Sequence, residues 1–68
     1  MARIGALTPR KILRLLQEHG FVVDHQTGSH VVLYQASSGR RVVVPVHARS
    51  LPRGTLLAIL KQAGLSSD

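Results

Sequence analysis

The chain has 68 residues, 44% of them hydrophobic, enough for one small domain over residues 1–68 and too few for a second. Nine Lys and Arg against three acids (Glu18, Asp24, Asp68) give a formal net charge of +6, which favours phosphate-bearing partners, although charge alone does not choose between RNA, DNA and an acidic protein, and serves solubility in the plainest reading. Cysteine is absent, which excludes disulfides, thiolate zinc sites and cysteine nucleophiles, and no run approaches the roughly 18 apolar residues of a membrane span.

The first seven residues, Met1-Ala2-Arg3-Ile4-Gly5-Ala6-Leu7, lack the apolar stretch of a signal peptide, so a cytoplasmic protein is expected. Thr8-Pro9 predicts a helix start, because the threonine oxygen can accept an orphan amide hydrogen bond and proline's missing N–H costs nothing at the first helical position. The helix is expected to run to about His19. Ile12, Leu13, Leu15 and Leu16 form its buried stripe, Arg10, Arg14 and Gln17 fall on another face, and Gly20 supplies a left-handed cap. Arg10 and Lys11 occupy the first turn, where positive charge opposes the helix dipole. Contact with an external anion would explain them; cheap tolerance of screened surface cations is the alternative.

Phe21-Val22-Val23 opens a strand that ends near His25, and Gln26-Thr27-Gly28-Ser29 reads as a turn. His30 to Gln35 is a second strand, rich in β-branched and aromatic residues, followed by a turn at Ser37-Ser38-Gly39. Arg40 to Pro45 completes an antiparallel meander and is ended by its proline; Val46 to Arg49 is a loop. Ser50-Leu51-Pro52 resembles a second helix entrance, with Leu56, Leu57, Ile59, Leu60 and Ala63 as the apolar stripe and Gly64 as the stop. The predicted fold class is α+β: a two-layer α-β-β-β-α sandwich with both helices on one face of a three-stranded antiparallel sheet. A chain of this size buries only about 60% of the surface its unfolded form exposes. A partner would therefore add usefully to its stability.

Candidate chemistry centres on Gly28-Ser29-His30. In a strand beginning at His30, the residues His30, Val32 and Tyr34 share one face, and the histidine stands at the edge beside a turn. An imidazole, whose ordinary pKa is about 6.5, suits general acid or base work on a phosphodiester. Gly28 lets backbone approach a ligand closely, and the amides and hydroxyl around Ser29 can bond a phosphate oxygen. The bland alternative is an ordinary Gly-Ser turn followed by an ordinary strand residue. His25 could face His30 across the hairpin if the turn permits, whereas His19 and His47 read as surface residues. Four scattered histidines with few carboxylates show no zinc-ligand spacing, so no metal and no cofactor are expected. Ser29 and His30 point to opposite faces, which argues against a serine nucleophile paired with a base. Arg40, Arg41, Arg49, Arg53 and Lys61 add positive charge, while Phe21 and Tyr34 are the only aromatic residues. Nucleic-acid recognition would therefore run through the backbone rather than through stacked bases.

Taken together, the leucine-rich first helix ending in Glu18-His19-Gly20-Phe21, Gly28-Ser29-His30, Gly39-Arg40-Arg41-Val42-Val43-Val44-Pro45, and Gly54-Thr55-Leu56 with Ile59-Leu60-Lys61-Gln62-Ala63-Gly64-Leu65 resemble the HicA-type toxins of bacterial toxin–antitoxin pairs, over nearly the whole chain. The resemblance implies a double-stranded-RNA-binding-domain-like fold and an mRNA interferase, a small endoribonuclease without metal, whose catalytic histidine is His30. It also implies a HicB-type antitoxin partner that covers the site. The RNA-binding residues expected here are Gly28, Ser29, Arg10, Lys11, Arg40 and Arg41. The sequence departs from the family pattern at Thr27, where many relatives carry a basic residue. The rival readings are a non-catalytic double-stranded RNA-binding module of the same fold and a module that docks another protein on its free sheet face.

Overall fold

The computed structural model describes residues 8–47 and 49–65. The N-terminal segment read above as lacking a leader, residues 1–7, lies outside them, as do residues 48 and 66–68. The elements are α1 (Pro9–Glu18), β1 (Val22–Thr27), β2 (His30–Gln35), β3 (Arg40–Pro45) and α2 (Arg53–Gln62), with the antiparallel sheet in the order β1-β2-β3. This is the expected α+β arrangement of a double-stranded-RNA-binding-domain-like fold.

Local chemistry explains the helix ends. Thr8 Oγ1 accepts from the Lys11 amide at 3.2 Å, and Pro9 occupies the first position of α1. At the other end Gly20, at φ 90°, lets the Phe21 amide return to the Leu16 carbonyl (3.0 Å) and the Gly20 amide to that of Gln17 (3.1 Å), a Schellman motif. Gly64, at φ 75°, repeats it in α2, with Leu65 bonded to Leu60 and Gly64 to Lys61.

Three boundaries differ from expectation. The strand begins at Val22 because Phe21, 1% exposed, ends the Schellman motif and turns into the core. It then runs on to Thr27, so Gln26 and Thr27 are strand residues and only Gly28 and Ser29 remain as the turn. At the second entrance Ser50 caps nothing: Pro52 holds the cap position without a side-chain hydrogen bond, and Leu51 is buried. Leu57 also leaves its predicted stripe and stands 47% exposed.

The register sorts the sheet into two faces, since residues directly opposite in an antiparallel pair share a face. Val31 and Leu33 of β2 pair with Val44 and Val42 of β3, and all four are buried. They pack with Ile12 and Leu16 of α1 and Leu56, Ile59 and Ala63 of α2, closed by Phe21 and Leu51. Both helices therefore cover one face. Fully burying a side chain of this kind stabilises by about 1.5–3 kcal/mol. No residue of β1 is buried, and a bulge between Val23 and His25 breaks its register.

Candidate functional site

The β1–β2 turn is a two-residue hairpin in which Thr27 pairs with His30. Gly28 has φ 58° and Ser29 has no positive φ, the pattern of a type II′ turn. A Cβ on Gly28 would meet nothing within 4 Å, so glycine is required there by conformation and not by space. Gln26 Nε2 donates to the Gly28 carbonyl at 3.1 Å and braces the turn. This geometry sets His30, exposed, at the first position of β2.

Register places Thr27, His30 and Pro45 in one row of the face opposite α1 and α2, His25, Val32 and Val43 in the next, and Val22, Tyr34 and Arg41 in the last. Beyond Pro45 the chain does not simply leave the sheet. The Val46 amide donates to the Ser29 carbonyl at 2.7 Å, which fastens the start of the loop to the catalytic candidate's own turn. His47 follows, and its ring centroid lies 6.2 Å from that of His30, with the planes tilted by 54°. From the sequence His47 reads as a surface residue; it is exposed, and it is also the neighbour of His30. Pairing the predicted strand Arg40–Pro45 against His30–Gln35 end to end sets Pro45 opposite His30, but only the bond from Val46 to Ser29 then turns His47 toward that ring.

His25 is placed differently from the possibility raised for it. It stands opposite Val32, and its Nδ1 lies 2.8 Å from Asp24 Oδ2. Asp24 also receives Arg41 Nη1 at 3.4 Å, and the hydrogen bond from His25 followed by Arg41 hold its carboxyl below the ordinary carboxylate value. The Arg41 guanidinium lies 4.8 Å over the Tyr34 ring, and Arg40 Nη1 donates to the Gln62 carbonyl at 3.1 Å. The two predicted RNA contacts on β3 are thus engaged within the fold. His19 Nδ1 bonds the Leu15 carbonyl at 2.9 Å and helps to close α1.

A groove of about 600 Å³ opens between α1 and the segment after β3, lined by Thr8, Pro9, Arg10, Leu13, Arg14, Gln17, Val46 and Arg49. It adds Arg49 to the face of α1 on which Arg10, Arg14 and Gln17 were expected together, and omits Lys11. Among the described residues the only carboxylate in an ion pair is Asp24, on the sheet face, so no acid of the described chain neutralises the three arginines. Val46 joins the two features: it lines the groove and is bonded to the turn before His30. Among the described residues no three His, Asp or Glu gather closely enough to hold a metal ion, and no helix is long and apolar enough to cross a membrane.

A family model described as HicA toxin of bacterial toxin-antitoxin matches residues 9–65. No curated protein matches the chain.

Proposed function

The chain belongs to the HicA toxin family of bacterial toxin–antitoxin systems, and from that premise we propose that it is an mRNA interferase, an endoribonuclease that cleaves RNA without a metal through His30. The observation that carries this reading is an exposed imidazole directly after the tight Gly28-Ser29 turn, at the end of a sheet face left open by both helices. His30 takes the proton of a ribose 2′-hydroxyl; the oxygen attacks the adjacent phosphorus and the bond to the 5′-oxygen breaks. That chemistry requires the 2′-hydroxyl and so RNA rather than DNA. The amides at Gly28 and Ser29 stabilise the charge gathered on the phosphorane oxygens.

The arginine groove supports a polyanionic substrate, because Arg10, Arg14 and Arg49 stand together without an acidic partner among the described residues. Lys11 extends the same positive surface along α1. Arg40 and Arg41 contribute only after leaving Gln62 and Asp24. An antitoxin of the HicB type is the proposed partner, seated over the open sheet face, and the cytoplasm is the proposed place of action.

Incubating purified protein with RNA in chelator, wild type beside His30→Ala, tests the reading. We expect wild-type cleavage leaving 2′,3′-cyclic phosphate ends and a loss of about 10²–10⁴-fold in a variant that keeps its thermal transition, the range general acid–base groups supply. Products carrying only 5′-phosphates would overturn the mechanism. Salt-sensitive binding of double-stranded RNA without cleavage would replace it with a non-catalytic binding module.

A further inference from the structure

We propose that His47 is the second catalytic residue, the general acid that protonates the departing 5′-oxygen; the proposal rests on the ribonuclease reading and assigns to it a proton donor that His30 alone cannot supply. Transesterification by a 2′-hydroxyl needs a proton removed on one side of the phosphorus and one delivered on the other. One imidazole cannot hold both positions in the same step.

The fold brings a second imidazole to the first by two independent constraints. The β2–β3 register sets Pro45 opposite His30, and the Val46 amide is tied to the Ser29 carbonyl at 2.7 Å, so the next side chain is delivered beside the His30 ring. The centroids are 6.2 Å apart. That is too far for a direct hydrogen bond between ring nitrogens facing each other along the line of centres, yet close enough for both rings to reach one phosphate. Two hydrogen bonds of about 2.8 Å, with the two apical oxygens of a phosphorane between them, span more than this separation in a straight line. The phosphate therefore seats at the rim of the pair with both rings angled toward it, which their 54° tilt permits. Both side chains are exposed, so substrate reaches them without any rearrangement of the core.

The proton balance closes. Neutral His30 accepts the 2′-hydroxyl proton as the new P–O bond forms; protonated His47 gives its proton to the 5′-oxygen as the P–O5′ bond breaks. The products are a 2′,3′-cyclic phosphate and a 5′-hydroxyl, with His30 left protonated and His47 neutral. Exchange of protons with water restores the pair. The strand neighbours of His30 are Thr27 and Pro45, neither of which titrates in the working range. Among the described residues, the other titratable groups of this face are His25 and Arg41, both engaged with Asp24, and Tyr34, which lies under Arg41.

The test compares wild type, His30→Ala and His47→Ala on an RNA whose cleavage position has first been mapped with wild type, and on the same RNA with sulfur replacing the bridging 5′-oxygen at that position. A thiolate leaves without a proton. We expect His47→Ala to lose about 10²-fold or more on natural RNA, to lose the alkaline limb of a bell-shaped rate profile, and to cleave the sulfur-bridged RNA as fast as wild type. His30→Ala should stay slow on both. Equal impairment of His47→Ala on the two substrates, rescue of His30→Ala instead, or full activity of His47→Ala on natural RNA would each overturn the assignment while leaving the ribonuclease reading intact. Failure of wild type to cleave RNA at all would remove the reading beneath it. A thermal scan of each variant separates these outcomes from loss of fold.

Discussion

The two faces of the sheet are built from the same strands and do opposite work. On the covered face Val31, Leu33, Val42 and Val44 are sealed against the helices; on the open face the same strands present His30, Tyr34 and Arg41, with His47 folded back beside the first. Adjacent positions thus belong to different parts of the protein. Leu33 is 0% exposed and anchors the core, while its neighbour Val32 faces away from the helices. The difference teaches that in a chain this short the period-2 alternation of a strand separates the core from the exposed face that carries the proposed site, so that substitutions on one face need not disturb the other.

The comparison breaks most readily at Leu33. Leu33→Ala should cost about 2–5 kcal/mol, a large share of the whole stability expected at about 0.05–0.15 kcal/mol per residue, so a circular-dichroism melt should show a far lower midpoint or no folded baseline. Val32→Ala should remain folded, at a cost of about 1 kcal/mol or less. Equal destabilisation by the two would mean that the faces are not separate.

A smaller effect is expected where the faces meet, at the turn before His30. Gly28→Ala forces an L-residue into the left-handed region at a cost of about 1–2 kcal/mol, with no clash to add to it because the site is open. Each kcal/mol should lower the Tm by about 4–8 °C in a domain of this size. RNA cleavage should fall further than stability, since His30 is displaced with the turn. Activity and Tm falling in step would show that the turn is structural only.

The smallest effect belongs to Asp24 on the open face. Its carboxyl titrates below the ordinary 3.8 because His25 and Arg41 favour the charged form. The contribution is therefore present above about the unfolded value and disappears as pH falls through the lower folded value. Asp24→Asn should shift the Tm at the edge of detection at neutral pH, and the shift should vanish in acid, as befits an exposed, solvent-screened pair. A large shift that survives below that range would assign Asp24 a role in the core that its exposure denies.

Local signals made most of the fold legible. Thr8-Pro9, Gly20 and Gly64 act within a few residues of where they stand, and they mark the helix ends that the structure shows. Where the reading slipped, a longer-range term decided. Phe21 looked like the first strand residue, but burial in the core and the bond from its amide to Leu16 hold it in the cap. Gln26 and Thr27 looked like turn formers, but pairing with Val31 and His30 keeps them in β1. At the site, Gly28-Ser29-His30 was readable as a motif because its residues are adjacent. The closeness of His47 to His30 and the addition of Arg49 to the Arg10–Arg14 face were not read, because each joins segments far apart in the chain.

By itself, the sequence determined the α+β class, the order of elements, the positive surface and the face of β2 that carries His30, because each follows from composition, capping or an alternation counted over a few residues. The tertiary structure alone decided that β1 lies outside the core, that Arg40 and Arg41 are spent on Gln62 and Asp24, that Arg49 joins Arg10 and Arg14, and that His47 stands beside His30. The physical reason is register. Which residue of one strand faces which residue of the next is set by the turns between them and by the core beneath them, and no local propensity encodes it.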